Sequence, residues 1–273
     1  MEKLQVALQI YSVRDQAKAD LLGTLKEISA MGYQGVEFFD TDGLNTTPEK
    51  AAELCAQVGL EIVGIHYPHG KMDADPQGSM GFLSDLGTKY VAIPYMEPKL
   101  FATSEGMERV IASVRSIAEA AKSANMTLLY HNHDFEYTPH GNRHALDILY
   151  QEIPAELLQC EIDTCWTKVA GLDPASYVRK YRGRVPLLHL KDFVGRGKED
   201  LYVLEGQPAV DVTGEDKFDF RPLGMGRQDI PSIVTAAKES EVKWLVVEQD
   251  EVCLDLSPMD CARKSIEYLQ TVN

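Results

Sequence analysis

Residues 128–134 read LLYHNHD, a short apolar run that ends in polar residues. An unbroken apolar run of this length indicates a strand that is covered on both faces, as in a parallel sheet. Seven further runs along the chain have the same character. The eight predicted strands are Leu4–Ile10, Gly35–Phe39, Glu61–His66, Tyr90–Pro94, Leu128–His131, Leu158–Asp163, Pro186–Leu190 and Trp244–Glu248.

Helical patterns lie between these strands. Thr47 before Pro48 and Asp173 before Pro174 are N-cap residues followed by a proline at the first helical position. Eight strands that alternate with eight helices predict a (β/α)8 TIM barrel, which forms a single domain over residues 1–273. The predicted helices are Asp15–Met31, Pro48–Gly59, Pro76–Leu86, Ser104–Ala124, Asn142–Tyr150, one that starts at Pro174, Ile230–Glu239 and Pro258–Leu269.

Composition narrows the class of protein. The 273 residues carry 42 acidic and 27 basic side chains, a net charge of −15 that disfavours nucleic acid as a partner. No apolar run reaches the roughly 18 residues of a membrane span, and the N-terminus does not have the pattern of a signal peptide. Five cysteines without a CxxC pair are typical of reduced thiols, which favours the cytoplasm. A homo-oligomer is compatible with this composition.

The expected active site lies where the barrel strands end, at their carboxyl termini. Strands five to eight each end near a metal-ligating side chain at the same height. A divalent cation would offset the free energy of burying these carboxylates. Mixed nitrogen and oxygen ligands suit Mn²⁺, Co²⁺, Zn²⁺ or Fe²⁺ better than Ca²⁺. The candidate ligands are His131, His133, Asp134 and Glu136 after strand five, Asp163 after strand six, His189 and Asp192 after strand seven, and Glu248 and Asp250 after strand eight.

Other polar residues near strand ends are candidates for substrate contact or for purely structural roles. Lys191 lies two residues after His189, so strand alternation points both side chains the same way. It could stabilise an oxyanion or pair with a carboxylate. The polar loop Val194–Arg221 is long enough to be functional. The remaining candidates are His133 and Glu136 for catalysis, and Gln9, Glu37, His66, Trp166 and Arg227 for substrate binding.

Gly224, Gly226 and Arg227 lie in the segment PLGMGRQDI. Two nearby glycines and an arginine could hold a phosphate, but the segment lacks the spacing of a P-loop. A tight turn before a helix explains the glycines equally well.

The order of several short motifs resembles the xylose isomerase-like TIM-barrel superfamily, in particular its sugar phosphate isomerase/epimerase branch. These motifs are LQIYSVRD, GVEFF, YHNHDFE, IDTCW, HLKDF and PLGMGRQDIPSI, followed by VVEQDE. The resemblance implies one divalent metal held by a Glu, an Asp, a His and a second Glu. Asp163, His189 and Glu248 match the last three, whereas His131 stands in the place of the first Glu.

The resemblance implies proton abstraction next to a carbonyl, through an enediolate, in a keto-sugar or sugar phosphate isomerase or epimerase. One divalent ion is expected, Mn²⁺ first, with Co²⁺, Zn²⁺, Fe²⁺ or Mg²⁺ able to replace it. Glu248 is the expected base or hydroxyl-orienting ligand, and Glu136, His133 and Lys191 are candidates for the returning acid.

The alternative function is a metal-dependent lyase or dehydratase that acts on a keto-sugar, keto-glycoside or keto-inositol. The His131 replacement favours it, because the HNH string is similar to that of inosose dehydratases. Two further interpretations are an apurinic endonuclease-like enzyme, which the negative charge disfavours, and a sugar-binding barrel without activity.

Overall fold

A computed structural model describes residues 3–195 and 217–273 of the chain. Eight parallel strands form a closed barrel in which each strand pairs with the next along the chain and the last pairs with the first. The predicted TIM barrel is thus confirmed. The strands are β1 (Gln5–Gln9), β2 (Gly35–Phe39), β3 (Glu61–His66), β4 (Tyr90–Ile93), β5 (Thr127–His131), β6 (Leu158–Asp163), β7 (Leu187–Leu190) and β8 (Trp244–Val247).

Helices surround the barrel and pack their apolar faces on the outer surface of the strands. The helices of the described residues are α1 (Arg14–Ala19), α2 (Leu21–Met31), α3 (Pro48–Val58), α4 (His69–Ala74), α5 (Pro76–Ser84), α6 (Ser104–Ser123), α7 (Ala145–Glu152), α8 (Thr164–Val169), α9 (Pro174–Lys180), α10 (Ile230–Glu239) and α11 (Pro258–Val272). Across residues 3–195 and 217–273, none of these helices has both the length and the apolar character needed to cross a bilayer.

The strand predictions agree with the structure to within one residue at each end, whereas the helices differ more. The predicted helix Asp15–Met31 is two helices, because the Asp20 side chain caps α2 by accepting from the Gly23 amide. Helix α7 begins three residues later than predicted, because a small hairpin, residues 139–144, precedes it. The short helices α4 and α8 were not predicted. Most of the predicted polar loop, residues 196–216, lies outside the described residues.

The barrel interior is divided into an apolar layer and a polar region. Because side chains alternate along a strand, inward residues two apart on one strand occupy successive layers. The lower layer, toward the amino ends of the strands, is formed by Ala7, Val63, Ala92, Leu129, Leu187, Trp244 and Val246. The region above it, which is more than one layer deep, is polar and buried and contains Gln9, Glu37, His66, His131, Glu161, Asp163, His189 and Glu248.

A bulge in β3 brings this strand into register with the polar region. Val36 pairs with Ile62, but Glu37 pairs with Gly64, so Val63 is an extra residue. Val63 packs in the apolar layer, and His66 nevertheless points into the barrel. The bulge therefore shifts the alternation of the side chains that follow it within β3. As a result, His66 points inward and joins the cluster.

Candidate active site

Four side chains from consecutive strands converge at the carboxyl end of the barrel. His131, Asp163, His189 and Glu248 each place a possible ligand atom within 4.8 Å of the others. The pairing of neighbouring strands explains why these residues meet. Asp163 on β6 pairs with His189 on β7, and Val246 on β8, two residues before Glu248, also pairs with His189. All four side chains are buried. The sequence had predicted this set as the metal ligands, and the structure brings it together.

Asp163 shows how one carboxylate serves both the fold and the cluster. Its Oδ1 atom accepts the Trp166 amide at 2.9 Å and so caps α8. Its backbone amide donates to the Asn132 side chain at 3.1 Å. Among the described residues Oδ2 has no hydrogen-bond partner, although it is buried and faces the cluster. A buried carboxylate oxygen without a donor is unfavourable unless a cation or a proton lies against it.

The donor set fits a divalent transition metal. Two imidazoles and two carboxylates supply the mixture of nitrogen and oxygen that such ions take. Asp163 Oδ2, which accepts no hydrogen bond from the described residues but lies 3.4 Å from the Lys191 ammonium group, is 3.9 Å from His131 Nε2. Ca²⁺ fits less well, because it takes six to eight oxygen ligands. His66, His131, Glu161 and His189 lie equally close together. We nevertheless take His131, Asp163, His189 and Glu248 as the residues that could hold an ion, because the two carboxylates of this set balance the charge of a divalent ion.

A second set of buried groups lies against this cluster, toward the barrel interior. Glu161 Oε2 lies 2.6 Å from His66 Nε2 and 3.3 Å from His131 Nδ1. Glu37 Oε2 lies 2.7 Å from His189 Nε2 and accepts a hydrogen bond from the side-chain Nε2 of Gln9 at 2.9 Å. Burial alone would lower the pKa of His189, but the carboxylates of Glu161 and Glu37 raise it well above its ordinary value.

Lys191 brings a buried ammonium group to the same site. Its Nζ atom lies 2.9 Å from Glu248 Oε2, 3.4 Å from Asp163 Oδ2 and 3.2 Å from Asp250. Burial works against the charge, yet the three carboxylates raise the pKa of Lys191 well above its ordinary value. The ammonium group also lies 5.7 Å from the centre of the Trp166 ring, within the range of a cation–π contact. Lys191 therefore carries a proton at neutral pH.

His133 and Glu136 follow β5 but lie in different environments. His133 lines the cavity described below, packed against Phe135 and Trp166. Burial, with the Lys191 charge, lowers its pKa to about 3, so its ring is neutral. Glu136 lies outside the cavity lining and is fully buried, where it accepts from the Tyr130 hydroxyl and the His133 amide. Burial raises its pKa to about 8.

A cavity of about 620 Å³ opens above the cluster. Its volume is in the range of small-molecule sites. His66, His131, Lys191 and Glu248 form part of its floor. Aromatic rings and carboxylates form much of its wall. The wall residues include Tyr11, Phe39, Asp40, Tyr95, His133, Trp166, Phe218, Asp219, Phe220, Asp250 and Glu251.

Three of the predicted substrate-binding residues lie outside this lining. Gln9 and Glu37 are fully buried and hydrogen-bonded to each other. Arg227 is exposed and donates to the Gly195 carbonyl. The other two, His66 and Trp166, do line the cavity.

Asp192 occupies the glycine turn that could have held a phosphate. Its two carboxylate oxygens accept from the backbone amides of Gly224, Gly226 and Gln228 at 3.0 Å and of Phe193 at 2.9 Å. A Cβ atom at Gly226 would lie 2.2 Å from Asp192 Oδ1, so only glycine allows this approach. These glycines thus form a tight turn around a carboxylate of the same chain.

Glu161 is the residue that sequence reasoning missed. It precedes Asp163 by two positions, so strand alternation places both on the inward face, one layer apart. That spacing could have identified it, because a carboxylate at an inward strand position is unusual without a partner.

The fold and this buried ligand cluster define a (β/α)8 barrel with a candidate metal centre at the carboxyl end of its strands. The family model described as "Xylose isomerase-like TIM barrel" matches residues 25–272, and the chain belongs to this family.

Comparisons with individual proteins show two kinds of relative. Inosose dehydratase from Clostridium tetani is 26% identical over 188 residues, which cover 65% of this chain and 58% of that protein. Inosose dehydratase from Mesomycoplasma hyopneumoniae is 23% identical over 271 residues, covering 91% of this chain and 87% of the relative. A sugar phosphate isomerase/epimerase from Parabacteroides distasonis shares the fold, with a TM-score of 0.76 at 19% identity over 99% of this chain and 94% of that one. These two sequence relatives are thus dehydratases, whereas the sugar phosphate isomerase/epimerase shares the fold.

Proposed function

We propose that this protein is a metal-dependent lyase that eliminates water or an alcohol from a keto-sugar, keto-glycoside or keto-inositol. The observation that carries the proposal is the contact of Glu248 with Lys191 at 2.9 Å, in the cavity wall beside the ligand cluster. The dehydratase relatives support the same class of reaction.

His131, Asp163, His189 and Glu248 would hold the ion. A divalent ion there supplies the Lewis acid that polarises a substrate carbonyl and makes the neighbouring C–H acidic. Lys191 donates hydrogen bonds to the oxygen on which negative charge develops. The aromatic wall packs against the carbon skeleton and limits the access of water.

Elimination requires only one proton-transfer group on one face of the substrate. Glu248 takes the proton from the carbon next to the carbonyl, and the C–H electron pair enters the enolate. The enolate then forms the C=C bond while the C–O bond at the next carbon breaks. The departing oxygen takes the proton back from Glu248 and leaves as water or an alcohol.

Epimerisation would require a second group on the opposite face. The family resemblance implies a Glu for that group, but His131 stands in its place here. The nearby Glu136 is enclosed behind Tyr130 and His133. This arrangement favours the lyase over the isomerase or epimerase that the sequence had placed first. His133 supports the second candidate only by its position, because its ring lines the cavity after β5.

The test combines product analysis with solvent deuterium. The manganese-loaded protein is incubated in D₂O with 3-keto-sugars, keto-glycosides, keto-inositols and simple ketoses. A conjugated enone together with released water or alcohol, lost in Glu248→Gln, supports the lyase. Deuterium in an epimeric or isomeric sugar supports the second candidate, and the absence of both outcomes overturns the proposal. Manganese as the ion, the cytoplasm as the compartment and a homo-oligomer stay predictions.

A further inference from the structure

Two buried carboxylates beneath the ligand cluster contact its two histidines. His189 turns Nδ1 toward Glu248 at 2.9 Å, while Nε2 donates to Glu37 Oε2 at 2.7 Å. A histidine that gives its proton to a carboxylate through one ring nitrogen presents a lone pair at the other. Glu37 thus holds the proton at Nε2, so that an ion can take the place of a proton at Nδ1.

The orientation of Glu37 is itself determined by its neighbours. The Gln9 side chain accepts the Tyr11 amide through Oε1 at 3.1 Å, so its Nε2 faces Glu37 and donates to it. On β3, Gly64 provides the space for the carboxylate, because a Cβ atom there would lie 2.7 Å from Glu37 Oε1.

Glu161 is hydrogen-bonded to His66 at 2.6 Å and also faces His131, without a hydrogen bond to it. The two residues pair across β5 and β6, and Glu161 Oε2 lies 3.3 Å from His131 Nδ1. His131 Nε2 faces Asp163 Oδ2 at 3.9 Å. The other oxygen of Glu161 and the Nδ1 atom of His131 have no hydrogen-bond partner among the described residues, although both are buried.

We infer that Glu37 and Glu161 are positioning residues that turn His189 and His131 toward the ion. This inference rests on the proposed metal site. It also explains how the cluster accommodates His131 at the position where the family resemblance implies a Glu. The substitution removes one negative charge from the ligands, and Glu161 returns a carboxylate to the site through the imidazole.

The experiment is a Co²⁺ titration of the metal-free full chain, followed through the d–d absorption bands, with the thermal midpoint measured on the same metal-free samples. Glu37→Gln and Glu161→Gln keep the side-chain volume but remove the charge and the obligatory acceptor. We expect each to weaken Co²⁺ binding about 10–100-fold and to alter the bands, because loss of such a partner affects affinity on that scale. The matched control is Glu136→Gln, another buried carboxylate, which contacts none of the four ligands.

The outcomes separate the two proposals. If the wild type binds Co²⁺ and both variants bind it equally well with unchanged bands, the positioning roles are overturned and the metal site stands. If the wild type itself binds no ion, the proposed function fails. If Glu136→Gln weakens binding as much as the other two, the effect reflects general loss of a buried carboxylate and the inference is wrong. Should Glu37→Gln fail to fold, Glu161→Gln decides the result.

Discussion

A buried ammonium group next to a set of cation ligands is unusual, because it would repel the cation that these ligands bind. Lys191 remains there because Glu248, Asp163 and Asp250 lie within 3.4 Å of it. In Lys191→Met the developing oxyanion loses its donor, so we expect kcat to fall by about 10²–10³-fold. Affinity for Co²⁺ should be kept or rise, because a positive charge has been removed. Steady-state kinetics and a Co²⁺ titration measure both effects.

The control for this change is Lys180→Met. Lys180 lies on α9, where it pairs with Asp147 at 2.6 Å, and it does not line the cavity. An unchanged kcat in Lys191→Met, or an equal fall in both variants, would contradict the role given to Lys191.

Individual residues also show how far the sequence could predict the site. Asp163, His189 and Glu248 were predictable because strand ends are readable from apolar runs, and the ends of parallel strands meet. The burial of Glu136 behind Tyr130 was not, because it depends on how the turn after β5 folds back. The position of Asp192 was not predictable either, because its partners Gly224 and Gly226 lie more than thirty residues further along the chain.

At the scale of elements, the bulge in β3 allows a glycine and a histidine to share the inward face. Gly64→Ala would place a Cβ atom 2.7 Å from Glu37 Oε1 and 3.0 Å from Leu187 Cδ1. Both neighbours are buried, so we expect a loss of about 1–3 kcal/mol in unfolding free energy and weaker Co²⁺ binding. Gly70→Ala on α4 is the control, because its Cβ would meet nothing within 4 Å. Urea denaturation that shows both variants equally stable would contradict this account of the bulge.

A second element-scale feature joins α7 to α9 and the residue after it. Asp147 Oδ1 accepts from Tyr177 at 2.8 Å, Lys180 at 2.6 Å and Tyr181 at 2.5 Å. Burial raises its pKa, but these donors outweigh burial and leave the pKa below the usual 3.8. A carboxyl group with a depressed folded-state pKa stabilises the fold above its unfolded-state pKa. That stability is lost as pH falls through the folded-state value.

Asp147→Asn should therefore cost about 1.5–3 kcal/mol of unfolding free energy at pH 7. The difference from the wild type should shrink below about pH 4, where the wild-type carboxyl becomes protonated. Urea denaturation of both proteins at pH 7 and pH 3 measures it. A difference that grows toward acid pH would have the wrong sign.

Helix boundaries show why element-level prediction was less complete than strand prediction. Helix α8 begins one residue after β6, and Asp163 both ends the strand and caps the helix. A strand-to-helix transition without a loop leaves no turn signal to read. The strands themselves were predictable, because each is a run buried on both faces.

At the scale of the whole molecule, charge predicts which substrates the cavity accepts. The net charge is −15, and the described lining has the five carboxylates of Asp40, Asp219, Glu248, Asp250 and Glu251. The described lining has two lysines: Lys191 is already paired with carboxylates, and Lys217 is outnumbered by the five acidic side chains. The glycine turn holds Asp192. An uncharged polyhydroxylated ketone suits this field better than a sugar phosphate.

For a keto-sugar and its phosphate ester, we expect the ester to have a KM at least about tenfold higher, equivalent to about 1.4 kcal/mol. The difference should narrow as salt screens the repulsion. Initial rates at low and high ionic strength measure it, with the neutral sugar as the internal control. A preference for the phosphate ester would contradict this account and show that cationic groups, Lys217 among them, dominate the site.

The most direct test of the account is the metal content of the intact chain. Protein reconstituted with Mn²⁺ and freed of excess ion is analysed by plasma mass spectrometry, alongside Asp163→Asn, which changes one of the two carboxylates of the ligand set. We predict one ion per chain in the wild type and a large loss in the variant. Folded wild-type protein that retains no Mn²⁺ or Co²⁺, or a variant that retains as much as the wild type, would contradict the claim that this cluster is a metal centre.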